Sequence, residues 1–349
     1  PPPPPPFFFF MIRRPPRSTL VRSSAASDVY KRQLPAIVEA LRSAKLLERM
    51  TEIINPAAAK LEQVTEVHQA DYVQDLIERL DSNPTYLDSA PTYFTHASLQ
   101  CALHAAGASI ALVDTVLDKN AQSGFALIRP PGHHAVPGAA MGFCLLANIA
   151  IAARHAQKRG VERILILDFD VHHGNGTQEI FYDDSSVLFV SIHQEGLYPG
   201  GGQAYQTGIN TGQGFTLNIP IPAYAGGRAV QQILSDLIFP SVRHFCPELI
   251  LVSAGFDAHW RDNLSNLQYS GRDYHVISTA LQELASEFCS GQIVFFLEGG
   301  YDLPALSESA VNVFRALLGE PSIDTLGPCL LYTSPSPRDA TLSRMPSSA

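Results

Sequence analysis

The chain has 349 residues, 46% of them hydrophobic and 16% charged, with a formal net charge of −9. An acidic chain is a poor partner for nucleic acid, though it can attract basic substrates by electrostatic steering. No uninterrupted apolar run reaches the about 18 residues of a membrane span, so neither direct nucleic-acid binding nor a membrane role is expected.

Taken in chain order, the first segment, 1–33, is rich in Arg and Ser and poor in acid, which at face value is the profile of an organelle transit peptide. The genetic code offers a better reading. Asp28–Gln33 (DVYKRQ) and Cys329–Ser334 (CLLYTS) can be encoded by opposite strands of one DNA stretch. With their flanks MIRRPPRST and SRMPSS, both ends read as translated sequencing-library adapters. Residues 1–33 and 329–349 are therefore expected to be artefactual and disordered, and 34–328 to be one domain. No targeting signal survives that cut, which leaves the cytoplasm as the expected compartment and a plastid open for a eukaryotic source. The head carries six basic residues and one acidic, the tail two and one. Without them 16 basic residues face 31 acidic, a net of −15. Four cysteines remain (Cys101, Cys144, Cys246 and Cys289), widely spaced and in no metal-like pattern. Such cysteines act as small buried hydrophobes in a reducing compartment.

Within 34–328, helical and strand patterns alternate. Helices are predicted over 35–50, 66–80, 96–117 and 142–160, then at about 226–245, 271–289 and 303–318. Strands are predicted at 124–129, 163–169, 186–193, 215–220, 248–255 and 292–300. The strands are near-continuous apolar runs, which implies a mainly parallel sheet covered on both faces, a three-layer α/β fold.

In such sheets ligands bind beyond the carboxyl ends of the strands, and here polar clusters follow the strands one after another. ALI leads to RPPGHHA, ILIL to DFDVHHGNG, LFV to SIH, LILVS to AGFDAH, and IVFFL to EGGYD. If the strands are parallel, the five clusters converge on one rim.

Asp170 and His172 are two apart at a strand end, so their side chains can point the same way. A catalytic zinc with an open position needs a third ligand, and Asp257 is the candidate. Two carboxylates and one imidazole form a hard donor set, so Fe2+ or Co2+ is also admissible. Taken alone, Asp170 reads more readily as a capping carboxylate. His133 and His134 follow a rigid Pro-Pro-Gly and could divide the base and acid duties of hydrolysis. Each needs an orienting partner, for which Asp168 and Asn175 are candidates. Tyr301 follows two glycines and could donate to a developing oxyanion. Gly142–Phe143 and Tyr198 could wall a narrow channel, with core packing as the plainer alternative.

These motifs (RPPGHHA, DFDVHHGNGTQ, SAGFDAH and LEGGYD) resemble the zinc-dependent histone deacetylase and acetylpolyamine amidohydrolase superfamily, and its class II branch in particular. The resemblance covers nearly all of 34–328. It implies the arginase–deacetylase fold, with an eight-stranded parallel sheet between helices. It also implies that Asp170, His172 and Asp257 hold zinc, that His134 is the general base and that His133 is a mainly electrostatic partner. Tyr301 would polarise the acetyl carbonyl. Asp168 would orient His133 and, with Ser191, help to hold a structural K+. Phe143 and Tyr198 would line the acyl-lysine channel. Asn175 stands where class I members carry Asp.

Three departures from the family pattern stand out. GFDAH is followed by WRDNL where the family usually shows Gly-Asp-Pro, and Leu264 replaces the Glu of the polyamine-selective branch. The rim Asp that grips substrate backbone aligns with Pro91, with Asp88 three residues early. The first strand and its following loop are expected to be missing, which would make the chain a truncated fragment.

The expected substrate is an acetylated protein, with a small acetylamide such as an acetylpolyamine as the alternative. A two-metal ureohydrolase would need a doubled ligand set, whereas the His pair and Tyr301 occupy those positions. A non-catalytic acyl-lysine binder would be expected to lack a ligand, a histidine or the tyrosine, and none is lost.

Overall fold

Apolar runs without alternation need cover on both faces, and they obtain it in a single eight-stranded sheet. The structure, a computed structural model, describes residues 7–11, 25–83, 85–89 and 92–329, with the backbone alone for 7–11, 25–31 and 54. The sheet strands are β1 (Phe7–Met11), β2 (Met50–Ile54), β5 (Ser123–Leu127), β6 (Ile164–Asp168), β7 (Val187–Gln194), β8 (Thr216–Ile221), β9 (Leu249–Ala254) and β10 (Ile293–Leu297). Their order is β2-β1-β5-β10-β9-β6-β7-β8, and every pairing is parallel. A short antiparallel hairpin, β3 (Thr85–Tyr86) with β4 (Tyr93–Phe94), stands apart.

The helices are α1 (Ala25–Ser43), α2 (Leu61–Val64), α3 (Ala70–Glu78), α4 (Ser98–Leu117), α5 (Asn148–Lys158), α6 (Asn175–Phe181), α7 (Gly227–Ile233), α8 (Phe239–Phe245), α9 (Gly271–Phe288) and α10 (Leu303–Leu317). A π-helical turn, Leu234–Ile238, joins α7 to α8. Side chains alternate across the sheet with period two. Leu165 and Leu167 of β6 face the core shared with α1, α7, α9 and α10, while Ile164 and Ile166 face the one shared with α3, α4 and α5. Each such fully buried aliphatic side chain contributes about 1.5–3 kcal/mol. The expected three-layer fold with eight parallel strands is thus present.

Several boundaries differ from expectation, each for a physical reason. The segment 1–33 was expected to lie outside the fold in disorder. Instead Phe7–Met11 pair with both β2 and β5, and α1 begins at Ala25. Phenylalanine favours strands, and the backbones of β2 and β5 would otherwise each expose an unpaired edge. The slot for a first strand is therefore filled. Pro35, expected in a first turn, is interior to α1 and forgoes one backbone hydrogen bond there. The helix predicted over 35–50 stops at Ser43, because Met50–Ile54 pair with β1 as a strand. The helix predicted from 142 begins at Asn148, because Gly142 and Phe143 take left-handed backbone angles, φ +52° and +68°. α4 is long and apolar enough to cross a membrane, but most of it is buried against β5, β10 and α5. Residues 1–6, 12–24, 84, 90, 91 and 330–349 lie outside the described residues, so the expectations for Pro91 and for nearly all of the tail fall there.

Candidate active site

Parallel strands deliver the residues that follow them to one edge of the sheet. β6 ends at Asp168, directly alongside Ser191 of β7 and Ser253 of β9. The chain beyond β6 then carries Asp170 and His172 to the same edge as Asp257, which follows β9. Donor atoms of Asp170, His172 and Asp257 all lie within 4.8 Å of one another. His172 Nδ1 stands 3.1 Å from Asp170 Oδ1 and 3.2 Å from Asp257 Oδ2. Both carboxylates are buried. Burial opposes a charged imidazole, but the close contacts and charges of the two aspartates outweigh it and lift His172 to about 10. Burial, reinforced by Asp170, pushes Asp257 up to about 7. Burial also works to raise Asp170, yet the charges of His133 and His172 hold it well below the usual carboxylate range.

These residues fit a divalent cation. Asp257 Oδ2 is buried and accepts no hydrogen bond of good geometry, although His172 Nδ1 stands 3.2 Å away. Glycines make the space: a Cβ at Gly255 would lie 2.0 Å from Asp170 Oδ2, and one at Gly299 would lie 2.3 Å from Asp257 Oδ2. Two carboxylates around one imidazole carry surplus negative charge, which a cation balances.

His133 and His134 lie beside this group with ring centroids 4.0 Å apart, and both are buried. His133 Nδ1 is 2.9 Å from Asp168 Oδ2, and its Nε2 is 3.9 Å from Asp170 Oδ1. His134 Nδ1 is 2.7 Å from Asn175 Oδ1. The environments drive the two rings apart. Burial disfavours both cations, but Asp168, Asp170 and Glu298 raise His133 well above its ordinary value. Burial together with the charges of His133 and His172 sends His134 well below it. One ring is thereby kept as a cation and the other as a neutral base. Asp168 is itself raised by burial, against the pull of His133.

Tyr301 follows Gly300, whose φ is +123°. Its ring centroid lies 6.4 Å from that of Phe143. Burial, with Asp257 and Asp170, raises its phenol well above the ordinary range, so it remains a donor. Tyr198 stands edge-on to His134, with ring centroids 5.1 Å apart. Gly142 sits between them, and a Cβ there would lie 2.4 Å from the His134 ring. Its N–H donates to Asp88 Oδ2 (2.8 Å), while the N–H of Phe143 donates to Thr92 Oγ1 (2.9 Å). Asp88, three residues before the expected rim position, thus holds the turn beside His134. Leu264 is 42% exposed. Ser191 Oγ lies 2.9 Å from His193 Nδ1 and 3.2 Å from His173 Nδ1.

Glu298 and Arg129 were not singled out from the sequence. Glu298 Oε2 accepts from the backbone N–H of Gly132 (2.7 Å) and of His133 (3.2 Å), which fixes the Pro-Pro-Gly loop. Burial lifts it to about 7. Arg129, lowered to about 9 by burial, donates to Gln33 Oε1 at 2.8 Å. The one available signal was position: Glu298 follows β10 directly, and Arg129 stands two residues beyond β5. Cys144, expected to be a mere hydrophobe, has its sulfur within 4.8 Å of donor atoms of His133 and Glu298. Burial raises its thiol well above the ordinary value, and a protonated thiol is a poor ligand. A cleft of about 580 Å3 is lined by Asn175 together with His173, Gln178, Tyr182 and Gly202. None of Asp170, His172 and Asp257 lines it.

Groups fit to hold a cation, to accept a proton and to donate to an oxyanion therefore meet at one rim, which is the equipment of a metal-dependent hydrolase. A family model described as Histone deacetylase domain matches residues 29–317, and the chain belongs to the histone deacetylase family, an amide-cleaving hydrolase family. The chain is 45% identical over 321 residues to Histone deacetylase 14, chloroplastic, of Arabidopsis thaliana, covering 87% of this chain and 76% of that protein. It is 38% identical over 312 residues to Polyamine deacetylase HDAC10 of Homo sapiens, covering 85% of this chain and 45% of that protein. A solved structure titled Crystal Structure of HDA15 HD domain superposes with a TM-score of 0.83 at 32% identity, covering 92% of this chain and 90% of that one.

Proposed function

We propose that the chain is a zinc-dependent, class II-type deacetylase that hydrolyses the amide of acetyl-lysine in proteins, releasing lysine and acetate. The observation that carries this reading is geometric: two buried histidines, oriented by Asp168 (2.9 Å) and Asn175 (2.7 Å), stand beside the Asp170–His172–Asp257 group. Asp170, His172 and Asp257 would hold the ion, which when bound supplies Lewis acidity toward the amide carbonyl and its attacking water. The oxygen-rich set also admits Fe2+ or Co2+. His134, neutral and oriented by Asn175, takes the proton from the attacking water and returns it to the leaving amine. His133, held as a cation by Asp168, offsets the negative charge that develops. Tyr301 donates a hydrogen bond to the acyl oxygen as it becomes an oxyanion. Phe143 and Tyr198 flank the lysine side chain. Asp168 and Ser191, side by side on adjacent strands, would contribute to a structural K+ site. Asn175, a neutral partner for His134, supports the class II assignment. The compartment is proposed as cytoplasmic, with a plastid as the alternative that the chloroplastic relatives support.

A small acetylamide is the second reading, supported by the likeness to a polyamine deacetylase. Against it stands exposed, apolar Leu264 at the rim, where a carboxylate would attract the distal amine of a polyamine. The deciding measurement is acetate release by the zinc-loaded protein from an acetyl-lysine peptide and from acetylputrescine. Faster turnover of the peptide is expected. Preference for acetylputrescine would transfer the chain to the metabolite reading, and turnover of neither with zinc bound would remove both.

A Gly142→Ala variant tests the geometry around His134. The added Cβ would meet the His134 ring at 2.4 Å, at a backbone angle of φ +52°. Since a displacement of about 1 Å can lower a rate by about 100-fold, a fall of that order is expected, with metal content unchanged. Wild-type kcat in this variant would show that the ring has room to move.

A further inference from the structure

The loop between β9 and α9 carries Asp257 at its start and Leu264 at its rim, and between them lies Asp262, a carboxylate outside the cation group. Asp262 is buried, at 5% exposure. Its Oδ2 accepts from the backbone N–H of Tyr301 (2.6 Å) and of Asp302 (3.2 Å), and its Oδ1 accepts from the N–H of Leu264 (3.0 Å). Its own N–H is tied back to the His259 carbonyl (2.8 Å). The neighbouring Arg261 binds the Asp302 carboxylate (3.2 and 3.3 Å), and Asp302 caps α10 through the Ala305 N–H (2.9 Å). The turn that presents Tyr301 is thus clamped from one side by two consecutive residues. Asp262 takes the Tyr301 N–H itself, while the two glycines before it are held elsewhere: the Gly299 N–H donates to Asp170 Oδ2 (2.9 Å), the Gly299 carbonyl accepts from the Phe256 N–H (3.0 Å) and the Gly300 carbonyl accepts from Gln33 Nε2. Gly299 and Gly300 leave that turn without side chains of its own to hold it, so the anchor must come from another loop.

We propose that Asp262 is a positioning residue for Tyr301, fixing the phenol at the distance an oxyanion requires and linking it to the rim through the Leu264 N–H. The proposal rests on the deacetylase reading of the site. A hydrogen-bond donor stabilises an oxyanion only when preorganised toward it, and Asp262 fixes the backbone at Tyr301 itself, one residue beyond the glycines that other groups hold. Asp262→Asn has nearly the same shape, but one of its two acceptor atoms becomes an NH2 group. In either orientation of the amide, at least one of the bound N–H groups then faces a donor.

The test uses the full chain, zinc-loaded and labelled with 3-fluorotyrosine. Twelve tyrosines are present, and the Tyr301 resonance is the one lost in Tyr301→Phe. Asp262→Asn is expected to melt cooperatively and to bind one equivalent of zinc. Its Tyr301 resonance should shift or broaden, and kcat should fall about 100-fold with KM little changed. In a Tyr301→Phe background the same substitution should cost no further rate, because two changes acting through one group are not additive. An unmoved resonance, or rate losses that multiply, overturns the proposal. So does loss of cooperative melting in both Asp262→Asn and Asp262→Ser, which would make the residue a folding element only. If the wild type releases acetate from no acylamide, the deacetylase reading fails, and the fluorine resonance alone then decides whether Asp262 places Tyr301.

Discussion

His134→Ala is expected to lower kcat by about 10²- to 10⁴-fold, the range for loss of a positioned general base. The side chain is buried, and its Nδ1 is taken by Asn175 at 2.7 Å, which leaves Nε2 as the proton acceptor. Burial and the neighbouring imidazoles hold the ring well below its ordinary value. It is therefore unprotonated across the neutral range, and kcat/KM should fall only as pH drops below the usual imidazole range. A pH profile of acetate release checks both statements. The variant should lose the acidic limb together with the rate, while zinc content stays at one equivalent. A His134→Ala enzyme within a factor of a few of wild type would shift the base role to His133, against the charge that Asp168 imposes on it.

Tyr301→Phe is expected to lower kcat by about 10²- to 10³-fold, the range measured for losing one oxyanion donor. The phenol is kept protonated by burial and by Asp257 and Asp170, so it donates at every pH at which the enzyme works. The ring stays in place in the variant, packed near Phe143, and only the donor is lost. KM should change little, because the interaction forms as charge develops on the carbonyl rather than in the ground state. Single-turnover rates with an acetyl-lysine peptide separate this outcome from slow product release. A loss confined to KM would reassign Tyr301 to ground-state binding.

The sheet was legible because its strands are buried on both faces, and ILILD or LILVSA cannot be mistaken for loops. The converging clusters were legible for the same reason, since residues that follow parallel strands share one rim. What escaped was interaction between segments that no local pattern connects. Met50–Ile54 continues a helical spacing, and only pairing with Phe7–Met11 makes it a strand. Glu298 holds the loop of His133 from 165 residues away, and Asp88 holds Gly142 from 54. Asp262 was passed over because WRDNL departs from the family pattern, yet its carboxylate holds the Tyr301 turn. The last three are side chains bonded to distant backbone N–H groups, and the first is a strand ladder between separate segments; neither leaves a local periodicity behind.

Parallel strands also give the molecule a blank side. The loops that enter the strands (118–122, 159–163, 246–248 and 289–292) lie opposite every residue assigned to chemistry. They close their helices with left-handed residues, among them Lys119, Gly160, Cys246 and Ser290. Cys246 is exposed there, whereas Cys144 and Cys289 are buried. A thiol-reactive tether at Cys246 would anchor the enzyme to a bead or sensor chip with its catalytic mouth turned toward the solution.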